Sequence, residues 1–159
     1  MIQVGERIPQ VNLWKLWPDG VRPVPSPHVF SGRKVVVFGL PGAFTPTCSE
    51  AHLPGYVARA DELRGKGIEA IVCVAPNDAY VMAAWAKTQK TEGVIDMLAD
   101  GNGDFTRALG LERDMTGTGL GIRMRRFAAI VEDGVVRQLF VEPRGGITVS
   151  GVEHVLAAL

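Results

Sequence analysis

A cysteine that follows a buried strand and opens a helix is placed to act as a nucleophile, and Cys48 stands in that position. The apolar run Val35-Val36-Val37-Phe38-Gly39-Leu40 reads as a strand, and Pro41-Gly42-Ala43-Phe44-Thr45-Pro46-Thr47-Cys48 as the loop that leaves it. Leu53, Tyr56, Val57, Ala60 and Leu63 then recur at helical spacing. In the first turn of a helix, unpaired N–H groups and the positive end of the dipole favour the thiolate over the thiol. Thr45, upstream of Cys48, adds a hydroxyl that both donates and accepts. Read alone, though, Thr45 is equally a loop or capping residue, Pro41 a strand stop, and Cys48 a structural thiol.

The elements that must position these residues follow from the rest of the chain. At 159 residues it is long enough for one domain, expected to span 1–159. Lys plus Arg, 17, equals Asp plus Glu, 17, so no basic field points to nucleic acid and no acidic excess to a disordered tail. Two cysteines, Cys48 and Cys73, are too few for a disulfide framework or a zinc site, which suggests a reducing, cytoplasmic setting. The first residues lack the apolar core of a signal peptide, and no apolar run approaches the roughly 20 residues that span a bilayer.

In chain order, Val11–Leu16 and Val21–Val24 flank Pro18-Asp19-Gly20 as a proline-rich hairpin laid against the main body. A strand at 34–40, a helix at about 49–65 and a strand at 68–75 make a parallel βαβ unit. A helix capped by Asn77 runs to about Lys90, followed by a strand at 94–99 and a short helix at 104–109 stopped by Gly110. Residues 112–121 read as loop. Two strands flank Asp133-Gly134, and a last helix begins at Val152 with Ser150 as its candidate cap. This is an α/β chain in the order of a thioredoxin-like fold, a central mixed sheet flanked by helices, with an N-terminal β-hairpin extension.

Pro41-x-x-x-Thr45-x-x-Cys48 resembles the active-site signature of peroxiredoxins, and the longer match is similar to the peroxiredoxin-5 subfamily, of the atypical or one-cysteine, glutaredoxin-dependent type. Agreement extends to Ser49 with His52-Leu53-Pro54-Gly55-Tyr56, to Asn77-Asp78-Ala79-Tyr80-Val81 with Trp85, and to Arg126-Phe127 ahead of Asp133-Gly134. The resemblance implies a peroxidatic Cys48, a hydroxyl partner in Thr45, a shielding Pro41 and an arginine, Arg126, beside the thiolate. It also implies a homodimer. Thr47 departs from the glycine common before that cysteine, and Val149 stands where some members carry a resolving cysteine.

On that footing the thiolate attacks one oxygen of hydrogen peroxide or a small organic hydroperoxide, water or an alcohol leaves, and a sulfenic acid remains. Arg126 holds the peroxide and the growing charge, and neither a metal nor an organic cofactor is called for. Cys73 sits mid-strand as an apolar filler, so an external thiol, glutathione with glutaredoxin or else thioredoxin, must reduce the sulfenate. His52, one turn beyond Cys48, either tunes the thiolate or packs on the sheet, and Trp85 reads as core. Among Arg123, Arg125 and Arg126, only the family match singles out the last, and strand alternation leaves its face open. A disulfide oxidoreductase is disfavoured by the absence of Cys-x-x-Cys. A peroxide sensor or a thiol-holding chaperone, stopping after one equivalent of oxidant, is the competing class.

Overall fold

In the strand that feeds the cysteine loop, Val35 and Val37 face one side and Val36 and Phe38 the other, all essentially without exposed surface. Such a run belongs to the middle of a sheet covered on both faces. A computed structural model describing residues 1–159 places it there. Seven strands run in the order β2 (Gly20–Pro25), β1 (Asn12–Trp17), β5 (Asp96–Ala99), β4 (Ala70–Ala75), β3 (Lys34–Gly39), β8 (Phe127–Glu132) and β9 (Val135–Val141). β3, β4 and β5 are mutually parallel, and the other pairings are antiparallel, which makes the thioredoxin-like mixed sheet.

Helices cover both faces. On one, α2 (Leu53–Ala58), α3 (Ala60–Gly65), α4 (Ala79–Gln89) and α6 (Val152–Ala157) enclose a cluster that includes Cys48, Tyr56, Cys73 and Trp85. On the other, α1 (Ser26–Phe30) and α5 (Asp104–Leu109) cover Val35, Val72 and Phe127, with Phe30 and Phe105 stacked at 6.4 Å. Asp133 and Gly134 both take positive φ, +47° and +75°, the turn that suits the twist of a β8–β9 hairpin. No helix is long and apolar enough to cross a membrane.

Several boundaries differ from expectation. The N-terminal hairpin joins the sheet through Trp14 opposite Ala99, and its prolines lie on the edge strand, where a missing N–H costs no ladder bond. α1 is an addition that proline-rich sequence concealed. The helix expected over 49–65 is instead a π-helical turn, Cys48–His52, then α2 and α3, separated at Arg59, whose φ of −116° leaves the helical region. Residues 112–121, expected as loop, contain β6 (Glu112–Asp114), which pairs with β7 (Ile122–Met124) across a short 3-10 turn. Asp78, not Asn77, caps α4, accepting from Val81 N at 2.9 Å, and Gly151, not Ser150, caps α6. Both displaced residues have other employment near the cysteine.

Candidate active site

The loop leaving β3 is held at both ends before it reaches Cys48. Asn77 Oδ1 accepts from Ala43 N at 2.8 Å, which ties the loop to the start of α4. Arg123, on β7, donates to the Pro41 carbonyl at 3.1 Å and to that of Leu120 at 2.8 Å. A Cβ on Gly42 would lie 2.5 Å from the Arg123 guanidinium, so glycine is what allows this approach. Phe44 then adopts a left-handed φ of +64° with half its surface exposed, a conformation that a bulky residue holds only under constraint from its surroundings.

Pro41 is buried and Thr45 half-buried. The Thr45 hydroxyl donates to the Gly42 carbonyl at 2.7 Å rather than to the cysteine sulfur, and the Thr45 carbonyl accepts from Ser49 N at 3.0 Å. Of the two capacities of that hydroxyl, donation is thus spent on the loop and not on Cys48. The proton is already engaged within the loop, and the hydroxyl oxygen's lone pairs stay free to accept.

Cys48 opens the π-helical turn, closed by Leu53 N on the Cys48 carbonyl. Widened turns of this kind recur at functional sites. The thiol has no exposed surface. Arg126 reaches it from the last residue before β8: Nη2 donates to Sγ at 3.2 Å, and Nη1 donates to His52 Nδ1 at 2.9 Å. The two faces of β8 are both buried, with Phe127 and Ala129 in one cluster and Ala128 and Ile130 in the other, the one containing Cys48. Alternation puts Arg126 on that second side. It is only 5% exposed, so the basic cluster is not a solvated edge at this position.

His52 completes the chain of contacts. Its Nε2–H donates to the Ser150 carbonyl at 3.0 Å, which leaves Nδ1 as the acceptor for Arg126. Burial, with the Arg126 charge adding and the Ser150 bond opposing, brings the imidazole from 6.5 to about 4, so it is neutral across the physiological range. Tyr56 donates to the same Ser150 carbonyl at 2.7 Å while stacking on Phe38 at 3.9 Å. On the opposite flank α4 grips the residue after the cysteine, with Trp85 Nε1 donating to Ser49 Oγ at 3.0 Å and Gln89 Nε2 to the Ser49 carbonyl at 3.2 Å. Trp85 is thus core, as its apolar neighbours indicate, with one polar handle on the turn.

Cys48 and Arg126 are brought into contact, while Pro41 and Thr45 lie on the loop that joins β3 to Cys48. Arg123, Asn77, Ser49 and Ser150 also serve the site and were not singled out by spacing. Cys73 is fully buried in β4, its thiol pushed up by burial. A surface groove of about 720 Å³ between β1 and α4 includes none of Pro41, Thr45, Cys48, His52 or Arg126 in its lining.

Residues 3–156 match the redoxin family model. The chain is 45% identical to Peroxiredoxin-2E, chloroplastic, of Arabidopsis thaliana, over 99% of this chain and 69% of that protein. It is also 45% identical to Peroxiredoxin-2E-2, chloroplastic, of Oryza sativa subsp. japonica, over 99% of this chain and 72% of that protein. Among solved structures, reduced Prx3 of Vibrio vulnificus in complex with hydrogen peroxide is 49% identical with a TM-score of 0.95, covering 99% of both chains. Peroxiredoxin 5 of Alvinella pompejana is 37% identical with a TM-score of 0.87, over 99% of this chain and 97% of that one. The expected cytoplasmic location is corrected by the two plant relatives, which are named as chloroplastic proteins. A low cysteine count argues for reducing surroundings and cannot tell one such compartment from another.

Proposed function

The chain belongs to the redoxin family as a peroxiredoxin, a thiol-dependent peroxidase, and we propose that Cys48 is its peroxidatic nucleophile. The observation that carries this is the buried Arg126 guanidinium at 3.2 Å from Cys48 Sγ. A buried cation with an unpartnered Nε and no carboxylate against it is satisfied by an anionic sulfur, and a charge-assisted bond is strongest to that form. In the reaction the Cys48 thiolate forms an S–O bond as the peroxide O–O bond breaks. The departing oxygen takes a proton to leave as water or an alcohol, and sulfur is oxidised to the sulfenic acid. Arg126 steadies the charge moving from sulfur to the leaving oxygen. The Thr45 oxygen accepts from the peroxide O–H, and the buried Pro41 keeps water from the sulfur.

The same reading assigns the chain to the peroxiredoxin-5 subfamily as a one-cysteine enzyme acting as a single domain over residues 1–159. Cys73 supports it, because it is fully buried mid-strand in β4, its backbone paired on both sides to β3 and β5, and it forms no disulfide with Cys48. Reduction then falls to an external thiol, glutathione with glutaredoxin or thioredoxin. A homodimer is favoured by exposed Phe44 and Ile122, on the cysteine loop and on β7 beside Arg123, and by exposed Tyr80 on α4. Rapid mixing with limiting peroxide tests the proposal. One equivalent of sulfenate should form at Cys48, and catalytic turnover should follow on adding thiol. A disulfide between Cys48 and Cys73 in the oxidised protein rejects the one-cysteine reading, and a halt after one equivalent despite each reductant rejects the peroxidase reading in favour of a sensor.

A further inference from the structure

Glu142 follows β9 and is 3% exposed; its carbonyl accepts from Arg125 at 3.1 Å, but its carboxylate pairs with no lysine or arginine. Its carboxylate is instead wrapped by one short segment. Oε1 accepts from Thr148 N at 3.0 Å and Thr148 Oγ1 at 2.5 Å. Oε2 accepts from Thr148 N and Val149 N, each at 2.9 Å, from Ser150 N at 2.8 Å and from Ser150 Oγ at 2.6 Å. Burial raises the carboxyl, but the bonds from Ser150, Thr148 and Val149 outweigh it and bring the group down to about 2. A charge buried without a cation is costly, and a loop between a strand and a helix closes well enough without one. The segment it fixes ends at the carbonyl that holds His52 and Tyr56.

We infer that Glu142 is a positioning residue for the peroxide step: by gathering the N–H groups of Thr148, Val149 and Ser150 it aims the Ser150 carbonyl at His52, and through His52 it orients Arg126 on Cys48. A neutral imidazole carries one donor and one acceptor, and a buried one must satisfy both. With the Ser150 carbonyl in place the proton belongs on Nε2, and the Nδ1 lone pair receives Arg126 Nη1. If that carbonyl swings away, the other tautomer points Nδ1–H at the guanidinium. Donor then faces donor, and Arg126 must rotate, taking Nη2 from the sulfur. Glu142 is also tied directly to the same strand end, since its N–H donates to the Arg126 carbonyl at 2.9 Å.

The inference rests on Cys48 as the nucleophile, and its test is separable from that assignment. In Glu142→Gln one acceptor becomes an NH2 that repels the donors it faces, and the rate constant for peroxide with Cys48 should fall about ten- to a hundredfold. The rate of sulfenate reduction by a small dithiol should fall no more than twofold on the same scale of effect. The deciding measurement is the cycle with His52→Phe, which lacks ring nitrogens: there Glu142→Gln should cost nothing further in the peroxide step, although thermal stability drops in both backgrounds. Equal losses with and without His52, or wild-type rates in Glu142→Gln, overturn the inference while leaving Cys48 as nucleophile. If Glu142→Gln does not fold, Thr148→Val with Ser150→Ala strips only the two hydroxyl donors and is read through the same cycle. A smaller loss confined to the His52 background supports the role, and any other pattern overturns it.

Discussion

Cys48 and Cys73 are both without exposed surface, both outside any disulfide, and both packed into the same apolar cluster. Burial therefore does not separate them; polar company does. Cys73 lies mid-strand in β4, opposite Phe38 on one side and Met97 on the other, and its thiol is pushed up by burial, with the Cys48 charge adding and Arg126 opposing more weakly. Cys48 lies where a strand has ended and a widened turn begins, with a guanidinium fork donating to its sulfur. Exclusion of water makes a lone thiol inert, and it makes a thiol beside an unneutralised cation reactive, because low dielectric strengthens that pairing.

The largest effect is expected where the comparison is starkest. Cys48→Ser should reduce peroxide removal to the rate of the reductant alone, while Cys73→Ser that folds should turn over normally. The reverse result would collapse the distinction. Next in size is Arg126→Gln, which keeps one amide donor and loses the charge. Losing an oriented donor of this kind costs about 10²–10³ in rate, so the peroxide step should slow by that factor in stopped-flow fluorescence. Arg126→Lys should fall between, since it restores charge without the fork that serves His52 and Cys48 together.

Acid should reveal the histidine that keeps this cation aimed. His52 is held near 4 in the fold against an ordinary 6.5, so the unfolded chain binds a proton that the folded chain refuses. Its contribution to stability is whole above pH 6.5 and is lost as pH falls toward 4, a change of roughly 3 kcal/mol at about 1.4 kcal/mol per pH unit. Urea unfolding across this range should show the slope in the wild type and a flatter profile in His52→Phe. The peroxide step should fall off only as pH approaches 4, where the folded protein itself takes up a proton on Nδ1 at the site that receives Arg126. An unchanged rate down to pH 4 would detach His52 from the chemistry.

Much of this was readable in sequence because it is local. Three apolar strands at 34–39, 70–75 and 127–132, the Asp133-Gly134 turn and the Pro41-to-Cys48 loop each carry their own periodicity or turn chemistry. Arg126 could be named only by resemblance, since both faces of β8 are buried and alternation cannot choose between them. The polar clamps were not readable at all. Asn77 looks like a helix cap and instead holds Ala43, Ser150 looks like a cap and instead offers its carbonyl to His52, and nothing in the strand pattern marks Glu142 as buried. Each partner lies 34 to 98 positions away or depends on a neighbour's backbone, which pattern does not encode. The π-helical first turn escaped as well, because apolar spacing from Leu53 onward does not register the one-residue widening at Cys48–His52.

The smallest expected effect returns to the inert cysteine and separates packing from chemistry. Cys73→Ala leaves a void of one sulfur in the centre of β4 and should lower stability by on the order of 1 kcal/mol. Cys73→Ser keeps the volume but brings a hydroxyl into surroundings of Phe38, Met97 and apolar neighbours, adding about 1–3 kcal/mol if it finds no acceptor. Serine should therefore be the less stable of the two by denaturant midpoint, although it is closer in size to cysteine. Both should retain the wild-type rate constant with peroxide and the wild-type dependence on external thiol, measured below their midpoints. If alanine preserved stability but slowed re-reduction of Cys48, the thiol of Cys73 would be exchanging with the sulfenate after all, and the difference between the two cysteines would be one of timing rather than of kind.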